Sequence, residues 1–148
     1  MASRGPPALC ADEPVTSFAD TNVLAYALDD AEPSKQRVAR TVLRRRPRPR
    51  TSPQVLREVY VVASAKLGMT SDDAVAAVRA LVPTVAVVED AALVMAGIAA
   101  ARRWHISLWD ALIVEAARKA GATTLLTEDL QHGMDFDGVV VDNPFVTA

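Results

Sequence analysis

The chain has 148 residues, 51% of them hydrophobic, and a formal net charge of −2. This is enough chain for one globular domain with a proper core, and it has no global positive field to hold nucleic acid, so any such contact must come from a local patch. The single cysteine, Cys10, excludes an intramolecular disulfide and a thiolate zinc site, and the uncharged stretch at 91–101 is too short to span a bilayer.

Residues 1–14 are expected to form a flexible tail ahead of a domain at 15–148. The side-by-side Pro6 and Pro7, with no apolar run nearby, do not read as a secretion signal, so the expected compartment is the cytoplasm. VTSFAD predicts a short strand, after which TNVLAYALDD changes to helical spacing. Ser34 opens a second predicted helix that runs to about Arg46, where Pro47 and Pro49 end it. PRTS predicts a short strand, and Pro53 starts the helix QVLREVYVVASAKLG, closed by Gly68. Thr70 and Asp73 form a capping-box pattern for the next helix. PTVAVV predicts a strand, EDAALVMAGIAAARRW a helix with a basic last turn, and DALIVEAARKAG a helix stopped by Gly121. TTLLT and GVVVD predict the last two strands. Strands alternating with helices predict an α/β sandwich, three layers deep, around a mainly parallel sheet. In such sheets ligands sit beyond the carboxyl ends of strands.

Four acidic residues stand in apolar surroundings: Asp20, Glu58, Asp110 and Asp129. Asp20 and Asp129 each follow a predicted strand, whereas Glu58 and Asp110 lie in or at helices. Each has a purely structural explanation to set against function. Asp20 can cap a helix, Asp129 can make an Asx turn, and Asp110 completes a capping box with Ser107. Glu58 is hardest to explain this way, because Val61, Val62 and Ala65 at i+3, i+4 and i+7 make its helical face apolar. Four carboxylates brought together repel one another and call for a hard cation, Mg²⁺ or Mn²⁺, because every ligand would be oxygen. No Ser–His–Asp or Cys–His nucleophile and no Gly-rich phosphate loop competes with that reading. His105 has a loop or substrate-facing position as its favoured explanation.

DTNVLAYALD, QVLREVY, SLWDALIVEAA and LLTEDLQHG, in this order, resemble the PIN-domain family, specifically the VapC-like toxins of bacterial toxin–antitoxin pairs. The resemblance covers roughly residues 16–146. It implies an α/β/α domain that cleaves RNA endonucleolytically with a divalent metal. It also implies Asp20, Glu58, Asp110 and Asp129 as catalytic residues and metal ligands. Asn22 and Thr127 would support them, Glu128 competes with Asp129 for the fourth role, and the long N-terminal tail departs from the family. A small antitoxin protein and a homodimer are the implied partners.

RRRPRPR places Arg44, Arg45, Arg46, Arg48 and Arg50 within seven residues. Complementing a helix dipole needs one or two such charges. The favoured reading is contact with an RNA backbone along a proline-extended segment, and a solvated basic turn is its rival. For Arg102 and Arg103 the helix-end explanation is preferred. The 91–101 stretch reads as core, with a homodimer face as its alternative. Two other functions stay open: a non-catalytic RNA- or partner-binding PIN module, and a nuclease acting on structured DNA. A phosphatase of the DxDxT type is disfavoured, since Thr21 and Asn22 follow Asp20.

Overall fold

The computed structural model describes residues 14–146; Cys10 and all of the expected tail except Pro14 lie outside the described residues. The elements run β1 (Ser17–Ala19), α1 (Thr21–Leu28), α2 (Pro33–Leu43), α3 (Pro53–Val61), α4 (Ser71–Leu81), α5 (Ala91–Trp104), α6 (Leu108–Ala120), β2 (Thr124–Leu126), β3 (Asp135–Phe136) and β4 (Val139–Asp142). The sheet order is β1-β2-β4-β3, parallel except for β3, which runs antiparallel to β4. Phe18 and Ala19, and likewise Leu125 and Leu126, are strand neighbours that point to opposite faces, and all four are buried. Both faces of the sheet are therefore covered, as a sandwich requires.

Local chemistry accounts for most boundaries. Thr70, Asp90 and Ser107 each accept a backbone N–H three residues on, and so start α4, α5 and α6. Gly121 ends α6 in the left-handed conformation, φ +87°. A Cβ at Gly97 would lie 2.5 Å from a Leu112 methyl, so glycine lets α5 close down on α6, the helix that carries Asp110.

Four expectations need correction. PRTS and PTVAVV do not become strands. Arg50 and Thr51 make only single parallel bridges, to Phe18 and Val85, and Val82–Thr84 is a 3₁₀ turn. The arginine segment is not extended throughout, because the chain turns and bends over residues 44–47 before Arg50 joins the sheet edge beside β1. The helix that begins at Pro53 passes at Val62 into a π-helical turn, Val62–Lys66, before Gly68. Among the described residues no helix is long and apolar enough to cross a membrane.

Candidate active site

The parallel sheet brings the first and last acids together. Asp20 leaves β1 with its N–H on the Leu126 carbonyl, and Thr127 leaves β2 with its N–H on Asp142. Two neighbouring parallel strands thus end side by side and deliver Asp20 and the Thr127–Asp129 turn to one edge. Asp110 arrives from the first turn of α6, whose helix packs against β1 and β2. The result is a trio, Asp20, Asp110 and Asp129, with one carboxylate oxygen of each lying within 4.8 Å of the others. Asp20 is buried, Asp110 half-buried and Asp129 exposed, so the group opens from core to solvent.

Asp20 is held from two sides. Its Oδ1 accepts the Thr21 N–H at 2.7 Å, and its Oδ2 accepts the Thr127 hydroxyl at 2.9 Å. Asn22 donates to Thr127 Oγ1 at 3.2 Å and approaches Asp20 Oδ2 at 3.5 Å. Thr127 Oγ1 also accepts the Asp129 N–H at 3.1 Å, so one hydroxyl orients two of the three acids. Burial pushes the Asp20 carboxyl up to about 7; the Thr21 and Thr127 hydrogen bonds oppose this, and the charges of Asp129 and Glu58 add to it. Asp110 is raised by burial first, against a hydrogen bond from Ser107, with Asp129 and Glu58 again adding. Ser107 also caps α6 by accepting the Asp110 N–H at 3.1 Å, so here the capping box and the acidic site coexist.

Glu58 stands beside the trio and is not one of the three converging oxygens. Its Oε2 accepts the Thr21 hydroxyl at 2.6 Å and its Oε1 accepts Gln54 Nε2 at 2.9 Å, and Gln54 also reaches the Trp109 carbonyl at 3.3 Å. Gln54 therefore joins α3 to the first turn of α6. The sequence reading missed Thr21 and Gln54, although Gln54 lies four residues before Glu58, the spacing at which helical side chains meet. The apolar face beside Glu58 is also not core. Val55, Val59 and Ala63 are buried, whereas Val61 and Val62 line an open cleft of about 1090 Å³ that reaches Glu58 and Asp129 between α1 and α3.

Glu128 and Asp129 separate clearly. Glu128 accepts Tyr26 Oη at 2.7 Å and pairs with Lys35 Nζ at 3.2 Å, so its charge is already countered, while Asp129 joins the acids. Of the arginine run, Arg44, Arg45 and Arg46 are exposed, whereas Arg48 and Arg50 are partly buried. His105 ends α5 in a left-handed conformation, φ 54°, with its side chain exposed.

Hard oxygen donors on a buried-to-open gradient, with two carboxyls held above their ordinary range, make a donor set that fits Mg²⁺ or Mn²⁺. The family model of the PIN domain matches residues 17–133. The chain belongs to the PIN domain family. A search of curated proteins finds no match. Among solved structures, the fold is similar to VapBC2 from Rickettsia felis bound to a DNA fragment from its promoter, at 15% identity and TM-score 0.58, covering 87% of this chain and 98% of that one. It is also similar to VapBC-1 from nontypeable Haemophilus influenzae, at 17% identity and TM-score 0.54, covering 78% and 87%.

Proposed function

We propose that this PIN domain is a metal-dependent endoribonuclease and the toxin of a toxin–antitoxin pair, acting on RNA in the cytoplasm. The observation that carries the reading is the convergence of Asp20, Asp110 and Asp129 at the ends of parallel strands, on a family fold whose neighbours are VapBC structures. Those three carboxylates would hold the ion, with Glu58 as the fourth acid of the site. A divalent cation bound there supplies Lewis acidity to the phosphoryl group and favours ionisation of the attacking water. The remaining work belongs to the chain itself. Thr127 and Thr21 donate hydrogen bonds that fix the Asp20 and Glu58 carboxyls in position, and Asn22 holds Thr127 in register. Glu128, already paired, leaves the fourth position to Asp129. Arg44, Arg45, Arg46, Arg48 and Arg50 are proposed to contact the RNA backbone. The proposed partners are a small antitoxin and a second copy of the chain.

The test compares single-stranded RNA, DNA and a phosphomonoester as substrates, with Mg²⁺, with Mn²⁺ and with EDTA. Internal cleavage of RNA alone, abolished by EDTA and by Asp20→Asn or Asp110→Asn, is the expected result. Undiminished cleavage in EDTA, or by both variants, would sink the mechanism.

A further inference from the structure

A second, smaller cavity of about 340 Å³ lies between α2 and the end of β4, away from the three converging acids. Arg37, Thr41 and Arg45 line it at i, i+4 and i+8, so one stripe running off the end of α2 presents both guanidiniums to the same space. Arg37 and Arg45 are exposed, and neither is in an ion pair among the described residues. The Thr41 hydroxyl donates back to the Arg37 carbonyl at 2.9 Å, which leaves the arginines as the donors of this wall. His132 forms the opposite wall. Its Nδ1 accepts the Asn143 N–H at 3.0 Å, so the ring hydrogen sits on Nε2, where it can be donated to a ligand. Asp142 is the one acidic residue of the lining, and it lies 4.0 Å from His132 Nδ1, on the side of the ring already bonded to the backbone. Two guanidiniums against one carboxylate leave the cavity net positive.

The cavity shares its frame with the acids. His132 follows Asp129 by three residues, which bounds their Cα separation at about 11 Å. Asp142, in its wall, accepts the Thr127 N–H through its carbonyl, next to the hydroxyl that holds Asp20. The cavity and the trio thus share the end of β4 and the segment that runs from Thr127 to His132.

We infer that the cavity of Arg37, Arg45 and His132 is a phosphate subsite that grips the RNA strand beside the scissile linkage. The inference rests on the nuclease reading, and it adds Arg37 and His132 to the residues that meet substrate. Guanidiniums suit this ligand because their fork matches two phosphate oxygens at once. The site positions RNA without reading sequence.

Binding in EDTA tests it apart from chemistry, with a fluorescent single-stranded oligoribonucleotide titrated across a range of salt. Arg37→Gln should weaken binding severalfold and flatten the slope of log affinity against log salt by about 0.7, and Arg37→Gln with Arg45→Gln by about 1.4. Arg79→Gln removes the same charge from an exposed site on α4 and should leave the slope as it was. With Mg²⁺ present, Arg37→Gln should raise KM and leave kcat nearly unchanged. Thermal unfolding of each variant separates a lost substrate contact from a loss of fold stability. An Arg37→Gln protein that binds RNA like the wild type overturns the subsite, as does a wild type that does not bind RNA in EDTA. Binding that follows these expectations while Mg²⁺ elicits no cleavage sinks the nuclease reading and leaves the subsite standing.

Discussion

Asp20→Asn is the most informative single change, because the fold holds this carboxyl where its charge is costly. In the metal-free protein the folded state keeps a proton on Asp20 up to about pH 7, whereas the unfolded chain releases it near 3.8. The sign follows directly. A carboxyl raised on folding contributes most below pH 4, and that contribution is lost as pH climbs from about 4 to about 7 and is constant thereafter. The interval corresponds to roughly 4 kcal/mol at about 1.4 kcal/mol per pH unit. Asparagine preserves the shape and removes the titration. Its oxygen can still accept the Thr21 N–H, and its amide can donate to Thr127 Oγ1 once that hydroxyl rotates, at the cost of both Asn22 contacts, with Thr127 Oγ1 and with the carboxyl. That repairing costs about 1 kcal/mol. In EDTA at pH 8 the variant should therefore be about 3 kcal/mol more stable than wild type, a rise in Tm of roughly 6–12 °C for a domain of this size. At pH 4 the advantage should vanish. Excess Mg²⁺ should narrow most of this gap at pH 8, since a ligand at about 100 times its Kd adds roughly 2.7 kcal/mol to the protein that binds it and less to one missing a carboxylate. Thermal unfolding of both proteins at pH 4 and pH 8, with EDTA and with Mg²⁺, measures all of this. A variant less stable than wild type in EDTA at pH 8, or a difference that ignores pH, would mean that Asp20 is chiefly the cap of α1.

Thr127→Val should cost about 1–3 kcal/mol, because it strips the hydroxyl from a buried carboxylate and leaves the Asp129 N–H and the Asn22 amide without their acceptor; denaturant unfolding reads the loss, and the cleavage rate should fall with it. Glu128→Gln should retain most cleavage while Asp129→Asn loses nearly all, and equal losses in the two would contradict the separation of their roles. Gln54→Ala should lower cleavage without unfolding the domain, because it frees Glu58 Oε1 and unties α3 from the Trp109 carbonyl; wild-type rates would assign Glu58 its position through Thr21 alone. Growth arrest on expression without an antitoxin, abolished by Asp20→Asn, tests the toxin assignment in cells.

Much of this molecule was legible in one dimension. Helix starts and stops are local chemistry, so Thr70, Ser107 and Gly121 could be read directly, and α4 and α6 begin or end where those residues place them. The acids could be singled out because a carboxylate in apolar sequence carries a desolvation cost wherever the chain folds. Pairing between distant segments was not local. Whether Arg50 and Thr51 form a strand depends on how much of Phe18 and Val85 lies alongside, and only single bridges form. The ranking within the acids was also decided in three dimensions. Glu58 and Glu128 differ from the trio only through Thr21 and Gln54 in one case and Tyr26 and Lys35 in the other. The sequence by itself determined which side chains could carry this chemistry. Only the tertiary structure decided which carboxylates share a few ångströms, because the parallel register of β1 and β2 sets two residues more than a hundred positions apart side by side.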